Sequence, residues 1–522
     1  MNRKDNQHIL ARAAIVLLVA MLSVVTVRAE EVNIGTVAEW NAFAARVNGG
    51  ETTLDGLLTA DLNFSDQTFT VAGTSAHPYC GTFDGASHTF TGINVSKSGD
   101  VTANRQGLFG SIGSGGVVKN VTVTGSSFAG WDYVGGIAGY NQGGTISNCH
   151  VTSTVTIGSN SGKEHHGGIV GYNSSIYSIV SHCTSGAIVT NSGQAACHYF
   201  GGIVGNNSGG TVEYCLAVGA TVSAVTNSGA IAGSNTGTLS YNYYANCRVG
   251  ETTSNIGIGS GDVSTNDGAL PAILLYDQGT EAAGNTTTIS GNSGSEKNVV
   301  LYGRTLLKTG DWNTLCLPFA LSDAQIATSP LAGATIKELD TAADGTSLDE
   351  GTLTLKFKDA ASIVAGKPYI VKWASGDNIV NPVFHGVTIT STTPSDVVSN
   401  DGKVTFVGQY SPFKVGNTSS GDDGNLNEII LLSTGNKLGY ATSARTLKSF
   451  RCHFYVSASA AVRNFELDFG DFDSGGTTSL SEELRVKSEE SDNAVYDLSG
   501  RKANSQFKKK GIYIVNGRKV LF

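Results

Sequence analysis

The sequence is poor in proline, in charge and in aromatic side chains. Of its 522 residues only 8 are proline, while charged residues make up 15% and aromatic residues 8%. Helix-forming patterns are almost absent between residues 50 and 300. The chain instead has 67 glycines, which with asparagine supply its turns. This composition favours an extended β protein over a helical enzyme.

The sequence also lacks the short motifs of the common hydrolases and nucleotide-binding proteins. It contains no HExxH zinc-protease motif, no GxSxG nucleophile elbow and no Walker loop. Its glycine-rich stretches are not followed by the helix and lysine that a phosphate-binding loop requires. We therefore predict no enzyme: no catalytic residue, no cofactor and no metal site.

The only long apolar run lies at the start of the chain and is typical of a targeting segment. Arg3 and Arg12 make this start basic, residues 13–25 are apolar, and Ala29 ends a small-residue cleavage site. These features predict a signal peptide over residues 1–29. The apolar run is too short to cross a bilayer comfortably, and we expect no membrane-spanning segment elsewhere.

The exported part of the chain is acidic. The formal net charge is −9, and removal of residues 1–29 leaves 30 basic against 42 acidic residues. Because like charges repel, an acidic surface argues against nucleic acid and anionic membranes as partners.

A short glycine motif, Gly-apolar-apolar-Gly, returns at a near-regular interval and organises residues 101–249. Its copies are Gly107–Gly110, Gly136–Gly139, Gly168–Gly171, Gly202–Gly205 and the degenerate Ala230–Gly233. Successive copies start 29, 32, 34 and 28 residues apart. Such a period is the signature of stacked repeats, in which no unit buries its apolar face alone.

Each copy continues with a polar turn, often containing asparagine, and then with a short strand. Apolar residues follow three positions apart in the next strand: Ile146 and Cys149, Val180 and Cys183, Val212 and Cys215. One flat strand repeats its faces every two residues, so an offset of three predicts a corner between two short strands. The glycines permit positive φ and close approach of neighbouring backbones. We therefore predict a β-solenoid with several short faces in each coil.

These repeats resemble the GLUG motif, with the closest agreement at residues 135–149 and 201–215. The third copy departs from the pattern, with Ser174–Tyr177 where two glycines are expected. The lead-in segment 80–88 is also similar to sequence that usually precedes such repeats. The resemblance implies a right-handed β-helix in a secreted bacterial surface protein, and it implies no catalytic residues.

The eight cysteines all lie in the exported part of the chain. In an oxidising compartment an even number suggests disulfides. Cys149, Cys183 and Cys215 nevertheless occupy one equivalent place in three coils, and we predict an inward ladder of free thiols. Cys316 and Cys452 each lie in a strong strand, and we hypothesise that they pair.

Residues 30–100 are predicted to cap the solenoid and to form its first coils. Thr36 and Glu39 make a capping box for a helix that Gly49 ends. One face of this helix is apolar, with Trp40, Phe43, Ala44 and Val47. A helix in this place covers the exposed edge of the first coil, which would otherwise invite aggregation.

After the repeats the regular period ends, and strand-like segments follow at irregular intervals. We assign residues 250–296 to a polar bridge, 297–470 to an antiparallel β-sandwich and 471–493 to an acidic flexible linker. Residues 494–522 form a small β tail that is similar to the sorting domain of type IX secretion. That resemblance implies export by this machinery to the outside or the outer-membrane surface of a Gram-negative cell. The simpler alternative is a small β module that stays in the mature protein without such machinery.

A few side chains in the repeats admit a chemical role. Asp132 and Glu164 align across adjacent coils, so they would be the carboxylate pair of a glycan-degrading β-helix. Two exposed turn residues are the simpler interpretation, and the adjacent His165 and His166 are more typical of structural histidines than of metal ligands. Aromatic residues precede the glycine motif and form either a sugar-stacking stripe or an inward stack: Trp131, Tyr133, Tyr199 and Phe200.

The leading hypothesis is therefore a non-enzymatic, adhesin-like protein at the cell surface. Its partner would be a glycan or a host or community protein, bound by many weak contacts along the repetitive face. The alternatives are the glycan-degrading β-helix and a purely structural spacer in a surface layer.

Overall fold

The fold is that of a computed structural model. It describes residues 30–96, 104–159, 164–191, 198–224, 226–250, 257–261, 268–416, 421–441, 443–457 and 462–470, and four short strands after residue 494. The predicted signal peptide at 1–29, the linker at 471–493 and Cys197 lie outside the described residues. The chain is nearly all β, as predicted.

Residues 31–271 form a solenoid of parallel strands with up to five short faces in each coil. We number the faces in chain order within one repeat, beginning with the strand that contains the end of the glycine motif.

Face 1 comprises Phe109–Ile112, Ala138–Asn141, Val170–Asn173, Val204–Asn207, Ala232–Asn235 and Ile258–Gly261.

Face 2 comprises Glu31–Ile34, Asp55–Leu58, Thr82–Asp84, Val117–Lys119, Thr145–Ser147, Ile179–Ser181, Thr211–Glu213 and Thr238–Ser240.

Face 3 comprises Leu62–Asn63, Thr89–Thr91, Thr122–Thr124, His150–Val151, Thr184–Ser185, Leu216–Val218, Asn242–Ala245 and Ala269–Pro271.

Face 4 comprises Asn94–Ser96, Ser127–Ala129, Thr156–Ser159, Ile188–Asn191, Thr221–Ser223 and Arg248–Val249. Face 5 comprises Val134–Gly135, Glu164–Gly167, His198–Gly201 and Thr226–Gly229.

The predicted corner between two short strands lies between faces 2 and 3. Ile146 is on face 2 and Cys149 is just before face 3, and both are fully buried. The residue that turns the chain here, Asn148, has φ of 51°. A left-handed residue redirects the strand, so two side chains three positions apart both point inward.

The glycine motif serves close packing, and its glycines do not have positive φ. Positive φ falls instead on residues such as Tyr133 and Asn148. A Cβ on Gly171 would lie 2.6 Å from Val134 N and 2.7 Å from His165 O. Face 5 therefore packs directly against the backbone of face 1, which a side chain would prevent. The expectation of close approach is confirmed, and that of positive φ is wrong for these glycines.

A ladder of buried amides runs through the solenoid beside face 1. Four asparagines form this amide ladder: Asn141, Asn173, Asn207 and Asn235. Each Nδ2 donates to the Oδ1 of the next, over 2.9, 2.8 and 2.8 Å. Sequence alone placed these residues in polar turns. They lie inside because each amide can satisfy the one in the next coil.

The predicted N-terminal helix is present as α1, Val37–Asn48. Thr36 Oγ1 accepts from Glu39 N over 3.3 Å, while the Glu39 carboxylate accepts from Gly35 N over 2.8 Å. Its predicted apolar face is fully buried and packs on the first coils: Trp40, Phe43, Ala44 and Val47. The Trp40 ring lies 4.8 Å from the ring of Phe90, so the helix seals the end of the solenoid core.

The second domain contains two main sheets packed face to face. The first comprises Asn313–Cys316, Pro368–Lys372, Thr335–Leu339, Thr352–Asp359, Ser347–Asp349 and Asn464–Asp468. The second comprises Val397–Val398, Val404–Gly408, Cys452–Val456, Ile429–Ser433 and Lys437–Tyr440. The Phe357 ring of the first sheet lies 6.2 Å from the Phe406 ring of the second. This is the predicted β-sandwich, antiparallel except for the pairing of Asn464–Asp468 with Thr352–Asp359.

Smaller elements complete this domain. Three small sheets are Ile273–Tyr276 with Glu296–Tyr302 and Val383–Thr388, Thr305–Leu306 with Ile379–Val380, and Gly424–Asn425 with Phe413–Gly416 and Arg445–Leu447. The helices are a 3-10 turn at Glu281–Gly284, α2 at Asn285–Gly291 and α3 at Asp323–Ala327.

The C-terminal tail forms a small antiparallel sheet of four strands: Val495–Tyr496, Lys502–Ala503, Ile512–Val515 and Arg518–Leu521.

The sandwich domain packs on face 3 of the last coils. A separate apolar cluster joins Leu216 and Tyr243 of the solenoid to Leu274 and Val300 of the second domain. Strand Ile273–Tyr276 follows the last face 3 strand almost directly, so the chain passes from one domain to the other within this interface. Burial of apolar side chains on both sides holds the two domains together.

Candidate functional site

The outer corner at face 5 carries ring side chains in three consecutive coils. Tyr133, His165 and Tyr199 occupy equivalent places, with φ of 57°, 69° and 62°. This left-handed backbone turns them away from the core, while the next residue of each coil points inward. His165 is nevertheless buried, because the rings on both sides cover it. Tyr133, Tyr199 and Trp131 are half-buried, and Phe200 is fully buried. An inward stack is therefore correct for Phe200 and wrong for Tyr133 and Tyr199.

These rings belong to one connected group, which we call the aromatic cluster: Arg105, Tyr133, Tyr140, His165, Tyr172 and Tyr199. His165 lies between two tyrosine rings. Its ring centroid is 5.0 Å from that of Tyr133 and 5.3 Å from that of Tyr199, with interplanar angles of 19° and 27°. The stack follows the axis of the solenoid, since each ring comes from the next coil.

Two tyrosines of face 1 pack edge-on against this stack. The rings of Tyr133 and Tyr140 are 5.3 Å apart at 80°, and those of His165 and Tyr172 are 4.8 Å apart at 88°. The Arg105 guanidinium carbon lies 4.2 Å from the Tyr140 ring centroid, in a cation–π contact. Most ring faces are thus used within the aromatic cluster, which offers a ligand ring edges rather than ring faces.

Asp132, a member of the suggested carboxylate pair, has a structural partner. Its Oδ1 lies 3.1 Å from Nδ1 of His165 and accepts the N–H of Tyr133 over 2.9 Å. Glu164 is in register with His198, and its side chain lies outside the described residues. The carboxylate of Asp132 therefore orients the imidazole of the next coil.

The histidines of the repeats lie in different environments. His166 takes the place of Val134 and Phe200 and is fully buried, with its ring 4.6 Å from that of Phe200. This confirms that one histidine fills a site that is apolar in neighbouring coils. Burial lowers the pKa of His150, on face 3, to about 4. Among the described residues, no group of three or more His, Cys, Asp or Glu is placed to hold a metal ion.

The predicted inward cysteine ladder is confirmed. Cys149, Cys183 and Cys215 are fully buried at the corner between faces 2 and 3. Val121 precedes them and Asn242 follows them in the same register. All three are free thiols, and burial raises the pKa of Cys149 and Cys215 well above the usual value. They act as small apolar side chains.

The hypothesised Cys316–Cys452 disulfide is not formed. Both residues are buried free thiols of the sandwich. The Sγ of Cys316 donates to Gly366 O over 3.2 Å, and that of Cys452 is directed at Tyr369 O, 4.0 Å away. Each sulfur is directed at a different backbone carbonyl rather than at the other sulfur, although the two strands are neighbours.

A shallow cleft of about 260 Å³ lies on the first coils of face 2. Its lining is mostly polar: Glu31, Asp55, Gly56, Leu57, Thr82, Asp84 and Lys119. Lys119 Nζ is 3.1 Å from Asp84 and 3.8 Å from Asp377 of the sandwich domain. Its cation is therefore already paired, and the cleft presents a weakly acidic surface.

Comparison with known proteins identifies one family motif within the repeats. Residues 132–156, which include part of the aromatic cluster and the first ladder cysteine, match the family model described as the GLUG motif. The chain carries a GLUG motif. It is also similar to halomucin of Haloquadratum walsbyi, with 36% identity over 85 residues. That alignment covers 16% of this chain and 1% of halomucin.

Among solved structures, the chain is similar to one from Bacteroides ovatus described as a putative immunoglobulin A1 protease. The identity is 18%, and the match covers 51% of this chain and 88% of that one. The TM-score of 0.30 is too low to support any conclusion on fold or function. Within the described residues, no helix is both long and apolar enough to cross a membrane.

Proposed function

We propose that this chain is an exported, adhesin-like repeat protein that binds ligands at the cell surface through the outside of its solenoid. The observation that carries the proposal is the outward projection of ring side chains in register, in the aromatic cluster. A core requires no such rings on its outside, and tyrosine is enriched at recognition surfaces because it offers both apolar area and a hydroxyl. Repetition along the axis suits many weak contacts with a repetitive partner.

The experiment is retention of the purified chain on a panel of immobilised glycans and matrix proteins, with released products measured in the same samples. Retention without products supports the proposal. The variant Tyr133→Ala/Tyr172→Ala removes a large part of the aromatic cluster and tests whether this surface contributes. Thr156→Ala, on face 4, is the matched control on a surface without rings.

The alternative is a glycan-degrading β-helix enzyme whose site includes Asp132 and Glu164. The hydrogen bond from His165 to Asp132 favours a structural use of this carboxylate. If the alternative holds, oligosaccharides are released by the native chain and their release is abolished in Asp132→Asn. A third possibility, a structural spacer, predicts neither retention nor products, only assembly with itself or with neighbouring surface proteins.

A further inference from the structure

A second outer surface of the solenoid has aromatic borders and a polar floor. It covers face 2 in three consecutive coils, Ile179–Ser181, Thr211–Glu213 and Thr238–Ser240, and we call it the rimmed strip. Its borders include four of the large apolar side chains most exposed among the described residues: Ile176 at 73%, Tyr177 at 72%, Tyr214 at 43% and Tyr241 at 42%. Exposed apolar groups gathered around one surface mark an interaction site.

One border comes from a two-residue insertion in the repeat. Five residues separate Asn173 from Ile179, whereas three separate Asn141 from Thr145 in the preceding coil. The insertion places Ile176 and Tyr177 outside the stack, where they contribute nothing to the core. The fold itself gives no reason for these two side chains.

The insertion is nevertheless held in one conformation. Ser178 Oγ accepts from Gly143 N over 2.7 Å and donates to Asn141 O over 3.1 Å, while Ser178 N donates to Ser175 O over 2.9 Å. Tyr177 has no ring contact with another described residue, so both faces of its ring are open. The backbone that carries Tyr177 is therefore preorganised, and a preorganised segment loses less entropy when it binds a ligand.

The opposite border is a stack of rings at the corner between faces 2 and 3. His182, Tyr214 and Tyr241 have φ of 54°, 52° and 51° and project outward. Their ring centroids are 5.1 and 5.3 Å apart, and the edge of His385 from the sandwich closes the stack at 5.3 Å. The ring faces of Tyr214 are used by its neighbours, so this border offers hydroxyls and ring edges.

The same corner in earlier coils has different chemistry. There the equivalent residues are Asn120 and Asn148, which bond each other over 2.7 Å. The turn opposite them contains Gly143 and Gly144 in place of the insertion. The ring border between faces 2 and 3 is therefore a property of the later coils, and the insertion with Ile176 and Tyr177 occurs in one of them, since the coil of Thr211 again has a glycine pair, Gly209 and Gly210. The earlier coils provide an internal control.

The floor of the rimmed strip is nearly neutral. Its accessible outward residues carry hydroxyls or a methyl surface, apart from the single carboxylate of Glu213: Ile179, Thr211, Thr238 and Ser240. Ser181 lies in the same register but is buried. Protein interfaces have an apolar centre and a polar rim. The rimmed strip has the reverse order, with polar groups in the centre and rings at the border. A sugar chain fits this order because it presents hydroxyls at its edges and an apolar C–H face to a ring.

We propose that the rimmed strip binds a neutral glycan, with Tyr177 stacking on a sugar ring and the hydroxyl row with Glu213 hydrogen-bonding its edge. The proposal rests on the ligand-binding function above and names its ligand class. Acidic glycans are disfavoured, because Glu213 and the net charge of −9 would repel them.

The test is retention of the full chain on immobilised neutral polysaccharides (a β-glucan, a mannan and a galactan), on polygalacturonate and dextran sulfate, and on gelatin. We expect retention on at least one neutral polysaccharide, weakened at least about tenfold by Tyr177→Ala and several-fold by Tyr214→Asn, which restores the residue type of Asn148. Gln142→Ala, in the equivalent turn of the preceding coil, should change nothing. Far-ultraviolet circular dichroism confirms that each variant is folded.

The outcomes separate the two proposals. Retention only on the acidic polysaccharides or on gelatin, or neutral retention that Tyr177→Ala leaves intact, overturns the rimmed strip and leaves the adhesin-like function standing. Absence of retention on every surface by the native chain contradicts the adhesin-like function itself.

Discussion

The solenoid and the sandwich both bury polar side chains, but they satisfy them in different ways. In the solenoid, Asn173 donates to its own equivalent, Asn207, over 2.8 Å. In the sandwich domain, Asn285 donates to Tyr276 O in a neighbouring segment and to Tyr410 O in a distant one, each over 2.8 Å. A repeat can thus supply the partner of a buried group by repeating the group itself, whereas an aperiodic core needs a unique partner for each.

The two domains also differ in how closely other backbone atoms approach their glycines, and this difference gives the largest predicted effect. A Cβ on Gly201 would overlap the carbonyl oxygen of Val204, while one on Gly291 at the end of α2 meets nothing within 4 Å. We expect Gly201→Ala to lower the free energy of unfolding by about 3 kcal/mol or more, since backbone cannot move aside. Gly291→Ala should stay within about 1 kcal/mol. Urea unfolding followed by circular dichroism measures both, and equal effects would contradict the close packing of faces 1 and 5.

The amide ladder gives the next largest effect. Asn207→Ala leaves the Nδ2 of Asn173 without its acceptor and removes the shorter of two hydrogen bonds to the Oδ1 of Asn235, which keeps the one from Gly237 N over 3.3 Å. We expect a loss of about 2 kcal/mol. Asn285→Ala in the sandwich should cost a similar amount. A double-mutant cycle separates the two mechanisms: Asn207→Ala with Asn235→Ala should cost less than the sum, while Asn207→Ala with Asn285→Ala should be additive. Asn206, the half-buried neighbour of Asn207, is the control: Asn206→Ala should cost under about 0.5 kcal/mol.

Acid sensitivity is predicted at a buried histidine of the sandwich. Burial lowers the pKa of His453 to about 4, from 6.5 when exposed. The buried ring is neutral, so its contribution is complete above pH 6.5 and is lost as the pH falls towards 4. We expect the free energy of unfolding to fall by about 2 kcal/mol from this group between pH 7 and pH 5.

The variant His453→Phe should remove this part of the loss. Burial also lowers the pKa of His150 in the solenoid to about 4, so this histidine adds a similar loss of unfolding free energy on acidification. The variant His453→Phe therefore removes only part of the total loss. A profile unchanged by His453→Phe would mean that this ring is not the acid-sensitive group.

The smallest predicted effect concerns the cysteines. Val121 already occupies the ladder position of Cys183 two coils earlier, so Cys183→Val should cost less than about 1 kcal/mol. In the sandwich a Cβ on Gly408 would lie 2.5 Å from Cys316 Sγ, so this sulfur has no spare room. Cys316→Val should therefore cost about 2 kcal/mol. Thermal unfolding compares the two, and a reversed order would contradict the interchangeability of ladder positions.

Much of the solenoid follows from the sequence, because its regularity is written in the period. The structure confirms three of these predictions: the close packing at the glycine motif, the corner between Ile146 and Cys149, and the apolar face of α1. The asparagines that follow the glycine motif carried a signal of the same kind, since Asn141, Asn173, Asn207 and Asn235 keep a fixed offset from it. Their polarity suggested a turn, and only the stacking of equivalent amides explains their burial.

The candidate binding surfaces were less predictable. Tyr133 and Phe200 both precede the glycine motif, and their opposite directions depend on a left-handed residue that a non-glycine side chain does not announce. The insertion at Ile176 and Tyr177 was visible only as a departure from the repeat. Its place across the rimmed strip from Tyr214 and Tyr241 arises because coils stack, which brings residues more than thirty positions apart onto one surface.

The sequence by itself determined that the chain repeats, that each unit is a set of short strands, and that a helix closes the first coil. These properties depend on side-chain periodicity and capping, which act over a few residues. The tertiary structure decided which groups lie inside, how the sandwich covers face 3 and which rings border the rimmed strip. Those outcomes depend on the register between coils and on contacts across domains. There, the residue that a side chain contacts, rather than the side chain's own polarity, decides whether it is buried or exposed.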